Sequence, residues 1–172
     1  MEFKKLDLVI NKSHLTNYYA MWYKNFNDDM QECIHSVKVE GRFQNSEVSS
    51  DDIAIFAPET GFWKQDFFIS GNAKGSIDNL IARKIIIKAG DKNYLDGEIS
   101  MRGLPDIENT FIDFRSKEFR TTYNELARFI PDLKTITNPI LIAFGNINYI
   151  GSYTVFIHDF VAYGTLKTDI GT

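Results

Sequence analysis

Apolar and polar residues alternate with a period of two along most of the chain, as in strands with one dry and one wet face. Val37, Val39, Gly41 and Phe43 alternate with Ser36, Lys38, Glu40, Arg42 and Gln44. Phe67, Ile69, Gly71, Ala73 and Gly75 alternate with Asp66, Phe68, Ser70, Asn72 and Lys74; Leu95, Gly97, Ile99 and Met101 alternate with Asp96, Glu98, Ser100 and Arg102. The pattern predicts strands near 3–10, 15–24, 36–43, 47–56, 66–74, 80–88, 93–101, 110–115, 140–151 and 153–168, the last broken at His158-Asp159. Turn-forming stretches separate them at Ala57-Pro58-Glu59-Thr60-Gly61, Ala89-Gly90-Asp91-Lys92-Asn93 and Gly103-Leu104-Pro105-Asp106. One helix is predicted over Thr122–Phe129, with Thr121 or Thr122 as N-cap, Glu125 at capping-box spacing from Thr122, and Pro131 after its end. A second short helix is predicted over 25–33.

A repeated unit, apolar-x-Gly-x-apolar, recurs at Val39–Phe43, Ile69–Ala73, Leu95–Ile99, Ala143–Ile147 and Ala162–Leu166, with glycine on the apolar parity each time. Glycine weakens a strand interior, so this placement needs a reason. Two stand open: kinks that curve a sheet, and gaps that admit a ring or a bound apolar chain. Either gives a bent, mostly antiparallel sheet with a dry concave side. The expected fold class is therefore mainly β: a curved, gutter-like, groove-forming sheet of repeated strands with one or two short helices. Residues 1–172 read as a single β-rich segment of a longer repeat protein, with a helical insertion near 121–131.

Composition narrows the function. The 14 Phe and 8 Tyr favour strands, and a net charge of −4 with scattered Lys and Arg argues against nucleic acid. No apolar run approaches the roughly 20 residues that span a bilayer as a helix. Cys33 is the single cysteine, so no internal disulfide forms, and it reads as a small buried apolar residue. His14, His35 and His158 are isolated, which leaves no metal site; His158-Asp159 reads as a turn, and Asp28-Asp29 and Asp51-Asp52 as caps or turns. Gly71-Asn72-Ala73-Lys74-Gly75 lacks the Gly-Lys-Ser/Thr ending of a phosphate loop. No catalytic constellation emerges, so neither an enzyme nor a cofactor is expected.

Three stretches carry a family resemblance: Gly41–Pro58, Asn93–Phe114 with Gly103-Leu104-Pro105 and Glu108-Asn109-Thr110-Phe111, and Phe144–Gly171 with Asp159-Phe160-Val161-Ala162-Tyr163-Gly164. They resemble the TamB-like (translocation and assembly module) members of the AsmA-type family across most of the chain, in repeat grammar and without catalytic signatures. The resemblance implies a long periplasmic protein of the Gram-negative envelope, anchored in the inner membrane. Such a protein moves phospholipid between the membranes or helps assemble outer-membrane proteins through an apolar β-gutter. The present residues would be an internal gutter segment, and contacts with the assembly machinery would lie outside it.

The expected groove wall is Val39, Phe43, Ile69, Leu95, Ile99, Ile147 and Leu166, meeting phospholipid acyl chains on one concave side. Terminal strands near 3–10 and 160–168 are expected to pair with another copy through open edges. The competing expectation is an extracellular carbohydrate-binding or adhesion β-sandwich displaying Trp22, Tyr23 and Trp63.

Overall fold

Each alternating stretch forms a strand, and every strand pairs antiparallel with the next. The computed structural model is thus a meander of nine strands in sequence order. It describes the whole chain except Phe56, Ile107, Glu108, Thr137, Ile157 and His158, together with the side chains of Glu59 and Phe160. The strands are β1 (Glu2–Ile10), β2 (Ser13–Trp22), β3 (Lys38–Ser49), β4 (Asp66–Ser76), β5 (Asn79–Ala89), β6 (Asn93–Arg102), β7 (Phe111–Thr122), β8 (Asn146–Phe156) and β9 (Asp159–Thr168). Strands β1 and β9 are the edges, so the sheet is open.

Among the described residues, five short α-helices decorate the strand ends: α1 (Phe26–Gln31), α2 (Cys33–Ser36), α3 (Ser50–Ile53), α4 (Tyr123–Phe129) and α5 (Pro139–Ile142). That is more than the one or two expected, because α2, α3 and α5 are single turns of four residues. Helix α4 matches its expectation: Thr122 Oγ1 accepts from Glu125 N at 3.2 Å.

Several boundaries differ from the alternation, for one physical reason. Register shifts interrupt seven of the eight strand pairs, at Phe3/Leu6, His14/Asn17, Phe43/Ser46, Ser70/Asn72, Ala82/Ile85, Asp96/Gly97 and Ser116/Phe119. A bulge inserts a residue and reverses the parity that faces the core. The expected strands 36–43 and 47–56 are therefore the single strand β3, whose dry positions move from odd numbers at Phe43 to even at Ser46. Residues 50–53 are helix α3 instead of strand. The expected strand 110–115 runs on through a bulge to Thr122. The stretch 140–151 is helix α5 followed by β8 from Asn146; β8 then continues to Phe156, and β9 starts at Asp159. His158 lies outside the described residues.

The bulges line up at similar heights on neighbouring strands and form a crease across the sheet. Residues with positive φ sit on it: Asn17 (99°), Asn45 (50°), Gly71 (134°), Lys84 (52°) and Gly151 (154°). Bulges bend and twist the strands that carry them, which curves the sheet.

No second sheet covers this one among the described residues. The largest fully buried side chains are Ser46, Ser50 and Ser76. A compact monomer of 19.8 kDa exposes about 8,600 Å² by size scaling. This chain exposes 11183 Å², about 2,600 Å² more than that scaling gives.

Candidate functional site

Directly opposed residues of antiparallel strands project from the same face, so the register assigns faces without ambiguity. One row runs Ser46, Ile69, Ile87, Leu95, Phe119, Tyr149, Leu166 from β3 to β9. A second runs Tyr19, Gly41, Ala73, Ala82, Ile99, Phe114, Tyr153, Ala162. A third runs Met21, Val39, Gly75, Leu80, Met101, Ile112, Val155. Between the first two, the crease contributes Ile85, Gly97, Ser116, Gly151 and Gly164. All these rows share one face.

The seven expected wall residues all lie on that face. Ile69, Leu95 and Leu166 share the first row, Ile99 belongs to the second and Val39 to the third; Phe43 opposes Gly71 on the crease. Ile147 pairs with Thr121 and Thr168 at the end of the sheet. Val39, Phe43, Ile69, Leu95 and Ile99 are half-buried. Ile147 is 7% exposed, inside the small core, whereas Leu166 near the edge is 41% exposed.

The glycines on this face answer the question their spacing raised. A Cβ on Gly97 would meet the carbonyl oxygen of Arg115, one on Gly151 that of Tyr163, and one on Gly164 that of Ile150. At Gly71 it would lie 2.6 Å from the carbonyl oxygen of Lys84. Neighbouring backbone fills these gaps, so the glycines serve curvature and hold no empty space for a ligand. The crowding falls on the apolar side. Gly41 differs: its missing side chain leaves room for the ring of Phe43. The unit at Ala143–Ile147 does not centre on a strand, since Gly145 precedes β8 with φ 54° beside Asp169.

One end of the apolar face is covered. Helix α4 leaves β7 and leans over the apolar face as far as β4. Trp63 meets Phe67 and Phe129 edge to face with ring centroids 5.9 and 5.7 Å away, Phe67 and Phe129 lie tilted at 6.0 Å, and Trp63 Nε1 donates to Phe129 O at 3.2 Å. Beneath the helix, Asn93 Nδ2 donates to Glu125 Oε2 and to Ala89 O, each at 2.9 Å, while Asn93 Oδ1 accepts from Thr121 Oγ1 at 2.6 Å. Trp63 is thus committed to packing, and Trp22 projects from the opposite face, where Lys74 Nζ lies 5.8 Å from its ring centroid. The two-sheet sandwich of the competing expectation is absent among the described residues.

The outer face carries the charge. Glu40 bridges Arg42 at 2.8 Å and Lys74 at 3.2 Å, and Arg120 meets Glu118 at 2.9 Å. Hydrogen bonds from Arg42 and then Lys74 hold the Glu40 carboxyl below its usual range. Arg42 and Arg120 stack on Tyr18 and Tyr94, at 4.6 and 4.7 Å from the ring centroids. These cations are satisfied on the wrong side of the sheet to converge beside the trough.

Other polar clusters hold turns and helix ends. Asp52 accepts from Asn11 Nδ2 at 2.7 Å, Lys12 N at 3.1 Å and Ser13 Oγ at 2.6 Å, tying the β1–β2 turn to α3. Asp51 bonds Lys12 and Lys64, each at 2.6 Å, which pulls its pKa down to about 2. Asp29 accepts from Lys24 N and Asn25 N at the start of α1, the capping duty expected of it. His35 pairs with Asp78 at 2.8 Å and His14 with Asp7 at 2.5 Å, both at the surface, and Cys33 is half-buried.

Alternation alone missed Ile87, Phe119, Tyr149, Phe114 and Tyr153, which complete the wall. Phe119 lies beyond the bulge at Ser116, where the parity of β7 has reversed. Comparison with known proteins finds no matching family model, no matching curated protein and no matching solved structure.

Proposed function

We propose that the apolar concave face is a lipid-carrying trough, and that the chain is a non-enzymatic segment of an envelope protein. In this reading it moves phospholipid between membranes and serves the assembly of outer-membrane proteins. The observation that carries the reading is an apolar face running from β2 to β9 with no second layer over most of it among the described residues. Water against such a face is unfavourable, and apolar chains relieve that cost without directional chemistry. Ten methylenes leaving water would contribute about 8 kcal/mol before the cost of ordering the chain. The repeat grammar shared with TamB-like proteins points the same way.

Head groups find no dedicated partner on the apolar face, because Arg42, Lys74 and Arg120 project from the opposite face and are ion-paired there. Selectivity among phospholipids should therefore be weak. The test is to isolate the chain from bacterial membranes and measure co-purified phospholipid by mass spectrometry, with and without Leu95→Glu and Ile99→Glu. Both side chains line the open wall, where a carboxylate keeps water in the trough. Retained lipid should fall in the folded variant; equal lipid in both would place the ligand elsewhere.

A further inference from the structure

The two sheet edges are built differently. Strand β1 carries Lys4-Lys5 and a bulge between Phe3 and Leu6. Charge and bulges are what protect an edge from pairing. Strand β9 has neither protection: its register with β8 is uninterrupted from Asp159 to Thr168, and Asp159 and Lys167 are its only charges. Its outer face is apolar where the central strands carry ion pairs. Tyr163 is 81% exposed and Val161 66%, and Ile150 beside them on β8 is exposed too.

We propose that β9 pairs antiparallel with β9 of a second copy about a two-fold axis, with Tyr163 opposite Tyr163. The sequence is self-complementary in that register. Asp159 faces Lys167 of the second copy at both ends of the ladder, and Val161 faces Thr165. All these side chains project from the outer face. Slipping by one residue turns every side chain to the other face, and slipping by two separates both charge pairs. Pairing satisfies the open backbone groups of both edges and extends the apolar face across two chains. The inference does not depend on what that face binds.

Sedimentation velocity at low salt, run over a concentration series, tests it with four proteins: unmodified chain, Lys167→Glu, Asp159→Lys, and the double exchange. Each single change sets like charges opposite one another twice per dimer, weakening association about tenfold. The double exchange restores opposite charges and should return the dimer to its original strength. Far-UV circular dichroism confirms that all four keep their strands. A monomeric unmodified chain, single variants that associate as before, or a double exchange as weak as the singles each overturn the proposal. Amide hydrogen exchange adds an independent reading: rising concentration should protect β9 and leave β1 unchanged, and protection of β1 instead would overturn it.

Discussion

Replacing Gly97 with alanine tests the crease, because two physical rules give opposite signs for it. In an ordinary strand, Gly→Ala stabilises by about 0.5–1 kcal/mol, since the unfolded chain loses conformational freedom. Gly97 needs no unusual backbone conformation, so that gain should be available. The added methyl, however, meets the carbonyl oxygen of Arg115 and approaches the Phe114 ring. The ring can turn aside, but the backbone oxygen cannot move without disturbing the β6–β7 ladder. Overpacking of this kind costs about 1–3 kcal/mol. The net expectation is a loss of about 1–2 kcal/mol. With a urea dependence of about 2 kcal/mol per molar, the unfolding midpoint falls by about 0.5–1 M. Urea titration followed by far-UV circular dichroism reads this directly. A midpoint unchanged or raised would refute the close approach and the curvature argued from it.

Trp63→Ala should lower stability by about 2–3 kcal/mol, since it removes three ring contacts and one hydrogen bond at a half-buried site. A double-mutant cycle with Phe129→Ala should show coupling above about 0.5 kcal/mol, and additive losses would contradict the end closure. The Asp51 carboxyl, held at about 2 in the folded chain by Lys12 and Lys64, contributes stability above its unfolded value of about 4. That contribution should fade as pH drops from about 4 to about 2. Asp51→Asn should flatten this slope in acid unfolding curves, and an unchanged slope would dismiss the ion triad as a source of stability. Short-chain phospholipid below its micelle concentration should raise the thermal midpoint progressively with concentration, whereas a midpoint indifferent to lipid would speak against a native-state complex.

The fold was legible because alternation is a local signal and an antiparallel meander needs only local pairings. Val39, Ile69, Leu95 and Ile99 could be placed on one face from parity alone. The cap of α4 was equally local, written in Thr122 and Glu125. What parity could not carry was the bulges. Where Asn45 and Lys84 take positive φ, the apolar phase slips by one residue, and the strand read as ending before Asn45 in fact continues to Ser49. A slip of the same kind at Ser116 hid Phe119. Ile147 shows a different limit: its parity was right, but its burial depends on packing at the end of the sheet, which sequence spacing does not report. The closure by Trp63, Phe67 and Phe129 joins segments more than sixty residues apart, beyond any local pattern.

The central claim is that the concave face holds acyl chains, and a polarity-sensitive fluorescent fatty acid tests it most directly. Titrated into the chain, the probe should brighten, saturate and be displaced by phospholipids regardless of head group. Leu95→Glu with Ile99→Glu should abolish the signal while the strand spectrum persists. A probe that stays dark with the unmodified chain, or brightens equally with the double variant, would contradict the account.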